Sequence, residues 1–174
     1  MDTAPCLKRI RLLAMDVDGV LTDGRLIYDT QGRELKAFHI RDGLGIRLAQ
    51  AGGVVVAFIT ARESALVAGR AWELGVEEVH QNVLDKAGRL REIAQRRGLD
   101  MAEVAYLGDD LNDLRAVQAA GCGIAVADAA PELRALADHV TVAPGGHGAV
   151  REAITAILQA QGTYDRVVRE LYGP

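Results

Sequence analysis

The stretch Leu12-Leu13-Ala14-Met15-Asp16-Val17-Asp18-Gly19-Val20-Leu21-Thr22-Asp23-Gly24 decides the fold. It opens as a short apolar run with charge before it and acid after it, the pattern of a strand buried on both faces of a parallel sheet. Two carboxylates then stand two residues apart, with Gly19 directly behind them. In an open α/β sheet, ligands lie just beyond the carboxyl ends of the strands. Asp16 and Asp18 therefore stand where chemistry is expected and where packing has no need of them.

Outward from this stretch the chain alternates between apolar runs and helical patterns. Strands are expected at Ile10–Met15, Val54–Ile59, Glu78–His80, Val104–Leu107, Gly123–Val126 and His139–Val142. Helices are expected at Gly43–Ala51, Glu63–Leu74, Lys86–Arg97, Asn112–Ala119, Pro131–Ala137 and Gly148–Gln161. Such alternation predicts βαβ units and an α/β, Rossmann-like parallel sheet flanked by helices. No repeat, low-complexity segment or linker divides residues 1–174, which read as one domain. Arg25–Ile40 breaks the alternation: Leu26 and Tyr28, then Leu35, Ala37 and Phe38, flank the turn-forming Asp29-Thr30-Gln31-Gly32. That predicts a β-hairpin standing out from the sheet, either a decorative loop or, as its apolar residues favour, a contact with another subunit.

Composition narrows the function classes. An apolar content of 49% over 174 residues supports one domain with a sizeable core. The net charge of -4 and the lack of a basic run speak against nucleic acid, which needs a basic face. A small anionic ligand stays open, because local arrangement decides that. Cys6 and Cys122 lie far apart and fit no metal spacing, so the expectation is a reduced, cytoplasmic protein. Met1–Lys8 has no apolar leader core, and no segment approaches the roughly 18 apolar residues of a membrane span.

Four polar clusters fall at expected strand ends or helix starts: Asp16/Asp18, Thr60-Ala61-Arg62, Lys86, and Gly108-Asp109-Asp110-Leu111-Asn112-Asp113. A parallel sheet brings such clusters to one edge, where together they make a phosphoryl-transfer site. A carboxylate can attack phosphorus, but two like charges about 4 Å apart repel by about 4 kcal/mol near a protein surface. A divalent cation removes that obstacle, and oxygen ligands from Asp16 and Asp109 suit Mg²⁺. Lys86 adds positive charge, Thr60 can donate to a phosphate oxygen, and Asp18 can protonate the leaving oxygen and later activate water. Each cluster alone has a plainer reading. Asp-x-Asp occurs in turns and in metal–nucleotide sites, Gly108-Asp109-Asp110 can be a turn with a helix cap, Thr60 a strand-end hydroxyl, and Lys86 a solvated helix residue. An EF-hand is excluded, since Val20 and Leu21 stand where an oxygen ligand and a glycine are needed. All four in this order favour the catalytic reading.

The same order resembles the haloacid-dehalogenase-like phosphatases, whose motifs match Asp16-x-Asp18, Thr60, Lys86 and Gly108-Asp109-Asp110-x-x-Asp113. The resemblance implies Asp16 as nucleophile, Asp18 as acid and base, and Mg²⁺ held by Asp16, the backbone carbonyl of Asp18, and Asp109. Asp113 and Asp110 would support those ligands from behind. Members of that superfamily usually carry a cap domain. Here 41 residues separate Asp18 from Thr60 and 25 separate Thr60 from Lys86, which leaves no room for one. An uncapped site exposes a reactive acyl-phosphate to water, so the substrate is a macromolecule or another subunit closes the site.

Asp16–Gly24, Lys36-Ala37-Phe38, Asp42-Gly43-Leu44-Gly45-Ile46 and Gly145-Gly146-His147-Gly148-Ala149-Val150-Arg151-Glu152 resemble the capless 3-deoxy-D-manno-octulosonate 8-phosphate phosphatases. This implies a phosphorylated sugar acid, a lipopolysaccharide precursor, as substrate, with nonulosonate 9-phosphates as the alternative. It further implies substrate contacts from Thr60, Arg62, Lys86, Lys36 and Asn112. A homotetramer built through the hairpins follows too, with Lys36 reaching a neighbour's site and Gly162–Pro174 as a lid or a packing strap. Two positions depart from the family pattern: Ala61 replaces a common glycine, and His147 a common arginine. A phosphoacceptor receiver domain and a non-catalytic binding subunit are the competing classes. The Asp-x-Asp on the first strand speaks against the former, and the intact Asp16, Asp18, Thr60, Lys86 and Asp109 against the latter.

Overall fold

The computed structural model describes residues 5–173; Met1–Ala4 of the leader reading and Pro174 of the tail lie outside them. The chain runs from a 3-10 turn, Pro5–Arg9, into β1 (Leu12–Met15), then through β2 (Ile27–Tyr28) and β3 (Glu34–Leu35) into α1 (Ile40–Ala51). It continues with β4 (Val55–Ile59), α2 (Ala65–Leu74), β5 (Glu78–His80), α3 (Lys86–Arg96) and β6 (Val104–Gly108). The last third comprises α4 (Leu114–Ala119), β7 (Cys122–Ala125), α5 (Pro131–Leu136), β8 (His139–Val140), α6 (Ala149–Ala160) and α7 (Tyr164–Tyr172).

Six strands form one parallel sheet in the order β5-β4-β1-β6-β7-β8, so the run that opens the sequence lies near its middle. All four β1 residues are buried, as a strand covered on both faces requires. On one side of the sheet α1 packs with α2, α6 and α7, and on the other α3, α4 and α5 pack in series. No helix of the described residues is long and apolar enough to cross a membrane.

The expected elements are present with shifted ends. α1 starts at Ile40, three residues before its expected start at Gly43, behind His39 in extended conformation. α2 starts at Ala65, because Ser64 is extended and ends the loop. α4 is preceded by a 3-10 turn over Leu111–Asp113. The tail is a helix that behaves as a strap: Val167 is fully buried, and the Arg151 guanidinium donates to the Tyr164 hydroxyl. Its apolar stripe seats on α6 and α1 as an amphipathic helix must.

The cysteines correct the sequence expectation. Cys6 and Cys122 are bonded as a disulfide, with Cα atoms 5.4 Å apart across 116 residues. Cys6 lies in the turn before β1, and Cys122 opens β7. A parallel sheet gathers strand starts at one edge whatever their distance in sequence, so spacing could not reveal the pair. The bond closes the chain at the edge opposite the strand ends that carry the polar clusters.

Candidate active site

Four loops deliver the clusters to one place. Asp16 follows β1, Thr60 follows β4, Lys86 opens α3 after β5, and Asp109 follows β6. A cleft of about 230 Å³ is lined by Asp16, Asp18, Thr60, Arg62, Asp109 and Asn112, with Gly24, Ala61 and Asp110 completing its wall. Asp16, Thr60 and Lys86 are almost fully buried at 4%, 2% and 2% exposure, although each carries a group that water would solvate. Burial at that cost needs compensating partners.

Lys86 supplies the compensation. Its ammonium lies 2.7 Å from Asp16 Oδ2 and 2.7 Å from Asp113 Oδ1. Asp113, fully buried, has no free oxygen: Oδ1 also accepts from the Tyr106 hydroxyl at 2.8 Å, and Oδ2 accepts from the Asp109 amide at 3.1 Å. It is a fixing point that aims Lys86 and the Asp109 backbone. Asp16 Oδ1 accepts from the Val17 amide at 2.7 Å, which orients its carboxylate toward the cleft. Asp110 caps the turn that follows by accepting from the Leu111 amide.

One oxygen is left over. Asp109 Oδ1 is buried with no hydrogen-bond partner, and carboxylate oxygens of Asp16, Asp109 and Asp113 lie within 4.8 Å of one another. Burial, helped by the charge of Asp113 and opposed by Lys86, pushes the Asp16 carboxyl up to about 6. Burial also pushes Asp109 up to about 8, with Asp113 and Asp16 adding to it. Burial pulls Lys86 down, but its two carboxylate partners outweigh that and hold the ammonium above its ordinary value. Three acids around one base, with a buried oxygen left without a partner among them, fit a small hard divalent cation.

Gly19 makes the approach possible. It has φ +94°, and a Cβ at this position would lie 2.0 Å from Asp109 Oδ2. The loop after β1 is held by Thr22, whose hydroxyl accepts from the Gly19 and Gly24 amides. It also rests on Gly146, whose amide donates to the Val20 carbonyl. The glycine pair at 145–146 is thus a seat for the Asp16–Asp18 loop. His147 faces solvent and bonds the Gly145 carbonyl, outside the cleft, while Ala61 lies in its wall.

The acids carry a stability signature. Folding raises both carboxyl pKa values, so the folded chain binds more protons than the unfolded chain, and stability falls as pH rises from about 4 toward about 8. In EDTA the melting temperature should be about 5 °C lower near pH 8 than near pH 5. A saturating divalent cation should close that gap. A flat profile in EDTA would refute the charge imbalance.

Lys36 lies beside the cleft of its own chain. There its ammonium pairs with Asp18 Oδ1, and the side chain is 2% exposed. The hairpin therefore folds its charged side back over the cleft while its apolar side stays outside. Reasoning from sequence missed Tyr106 and Glu34. Tyr106 was signalled as the one hydroxyl in an otherwise apolar strand. Glu34 stands two residues before Lys36, on the same face of its strand.

Residues 57–154 match the haloacid dehalogenase-like hydrolase family. The chain is 44% identical over 158 residues to the 3-deoxy-D-manno-octulosonate 8-phosphate phosphatase of Escherichia coli, covering 91% of this chain and 84% of that one. It resembles the crystal structure of that phosphatase from Moraxella catarrhalis, in complex with magnesium, phosphate and the KDO molecule. There the TM-score is 0.92 at 44% identity, with 95% of each chain covered. The cobalt-bound form from Haemophilus influenzae gives a TM-score of 0.88 at 40% identity, over 91% of this chain and 93% of that one. With its sheet order, its cleft and these likenesses in agreement, this chain belongs to the haloacid dehalogenase-like hydrolases and, within them, to the 3-deoxy-D-manno-octulosonate 8-phosphate phosphatase family.

Proposed function

We infer that this chain is a magnesium-dependent phosphomonoesterase that works through an aspartyl-phosphate on a phosphorylated sugar acid, 3-deoxy-D-manno-octulosonate 8-phosphate. The observation that carries this reading is the convergence of Asp16, Thr60 and Asp109 from three separate strand ends on one small cleft, with the Lys86 ammonium 2.7 Å behind Asp16 at the start of α3. In the proposed reaction a carboxylate oxygen of Asp16 attacks phosphorus and the bond to the sugar oxygen breaks. Asp18, once it has left its ion pair with Lys36 and taken up a proton from solvent, gives that proton to the leaving oxygen. Asp18 then takes a proton from water as the water attacks the phosphoryl group, which frees inorganic phosphate and restores Asp16. Thr60 and Lys86 hold the phosphoryl oxygens, and Arg62, Lys36 and Asn112 face the sugar acid. Magnesium, held by Asp16, the Asp18 carbonyl and Asp109, supplies the charge that lets an anion approach an anion.

A panel of phosphorylated sugars tests the reading. Release of phosphate from 3-deoxy-D-manno-octulosonate 8-phosphate should exceed that from hexose phosphates and nonulosonate 9-phosphates by at least about tenfold in kcat/KM. EDTA should abolish it and magnesium restore it. Equal rates across the panel, or indifference to EDTA, reject the reading.

The hairpin supports a homotetramer. Leu26, Tyr28 and Leu35 are 53%, 55% and 51% exposed on an element that shares no ladder with the main sheet. Clustered apolar side chains of this kind are normally covered by a partner. The pair Leu26→Asp and Leu35→Asp should shift sedimentation to monomer or dimer. An unchanged tetramer would remove the hairpin as the assembly element.

A further inference from the structure

Glu34 sits in a cradle of donors, two of which, Arg62 and Lys36, the proposed reading assigns to the sugar acid. Its Oε1 accepts from the Arg62 guanidinium at 2.9 Å and lies 3.5 Å from the Lys36 ammonium, while its Oε2 accepts from the Ser64 hydroxyl at 3.1 Å. Two oxygens of one carboxylate thus meet a guanidinium, an ammonium and a hydroxyl, a set built for a carboxylate of any origin. Arg62 lines the cleft with its side chain 41% exposed, whereas the Lys36 side chain is 2% exposed. The cradle therefore opens toward the place where a substrate must lie.

The occupant is tethered outside the main sheet. Glu34 belongs to a hairpin of two-residue strands, paired as Ile27 to Leu35 and Tyr28 to Glu34 and closed by hydrogen bonds between Asp29 and Arg33, outside the six-stranded sheet. All of its cradle contacts are made by the side chain, so Glu34 can leave by turning about its own bonds while the hairpin keeps its place. A fixed Glu at the mouth would also repel an anionic substrate, which argues for an occupant that leaves.

Resting on the proposed sugar-acid reading, we propose that Glu34 is an internal stand-in for the substrate carboxylate, filling the Arg62–Ser64–Lys36 cradle until the carboxylate of the sugar acid displaces it. Glu34 then sets specificity: a phosphoester without a carboxylate leaves the cradle filled, and a sugar acid must compete with a tethered rival. The apparent affinity of the ligand is lowered by the fraction of molecules with Glu34 docked.

The test uses free 3-deoxy-D-manno-octulosonate as an inhibitor of 4-nitrophenyl phosphate hydrolysis by the magnesium-loaded enzyme. In Glu34→Gln and in Glu34→Ala, the inhibition constant should fall by about five- to tenfold as the rival is removed. The preference in kcat/KM for the 8-phosphate over 4-nitrophenyl phosphate should rise in parallel. A scaffold that merely props Arg62 predicts the opposite sign, so an inhibition constant that rises or stays level in both folded variants overturns the proposal. So does a wild-type enzyme indifferent to the sugar acid. Failure of the proposed function is a separate result, since it is read from turnover of the 8-phosphate by the unmodified protein.

Discussion

Replacing Asp16 with Asn should lower phosphatase turnover by at least about 10⁴-fold while leaving the fold in place. The amide lacks the anionic oxygen that forms the bond to phosphorus, and no other carboxylate can take its position. Asp109 Oδ1 is buried and turned into the acid cluster, and both oxygens of Asp113 are engaged by Lys86, Tyr106 and the Asp109 amide. The fold should tolerate the change because Asn can still accept from the Val17 amide, and Lys86 keeps Asp113 as its partner. Burial already pushes the Asp16 carboxyl up to about 6, so a neutral side chain relieves crowding among three acids. The melting temperature without cation should stay within about 3 °C of the parent near neutral pH. Phosphate release and a thermal melt on the same sample check both halves. Turnover above a few per cent of the parent would remove Asp16 as nucleophile.

Replacing Lys86 with Met should damage both stability and rate. Among the described residues the ammonium is the one base in direct contact with the Asp16 and Asp113 carboxylates, at 2.7 Å from each. Removing one member of a buried ion cluster strands the others, at a cost of about 3–5 kcal/mol. For a chain of this length that is a fall of about 10 °C in melting temperature. The deficit should shrink as the buffer is brought toward about pH 5, because Asp16, already pushed up to about 6 by burial, then folds in its protonated form. Phosphate release should fall by about 10²–10³-fold, since a positive charge aimed at the phosphoryl oxygens is lost along with the alignment of Asp16. A variant that melts like the parent at every pH would show that the cluster is balanced by something other than Lys86.

Much of the fold was legible because its signals are local. Four uniformly apolar residues before Asp16 announce a strand buried on both faces, and the alternation after them announces the crossovers. Element ends were less legible where tertiary contacts decide them, as where Ser64 stays extended with its hydroxyl on Glu34. The tail was ambiguous for the same reason: only a surface to lie on makes a strap of an amphipathic segment, and Val167 finds it on α6 and α1.

By itself the sequence determined the sheet, the order of its strands in the chain, and the residues whose chemistry faces one edge: Asp16, Asp18, Thr60, Lys86 and Asp109. These follow from spacing and residue type, which act within a few residues and survive without coordinates. Only the tertiary structure decided which side chains meet. It joined Cys6 to Cys122, gave Asp113 to Lys86 and Tyr106, and turned Lys36 and Glu34 back over their own cleft. Such pairings depend on how separate elements are laid side by side. No local pattern along a chain encodes the distance between atoms that folding, and not sequence, brings together.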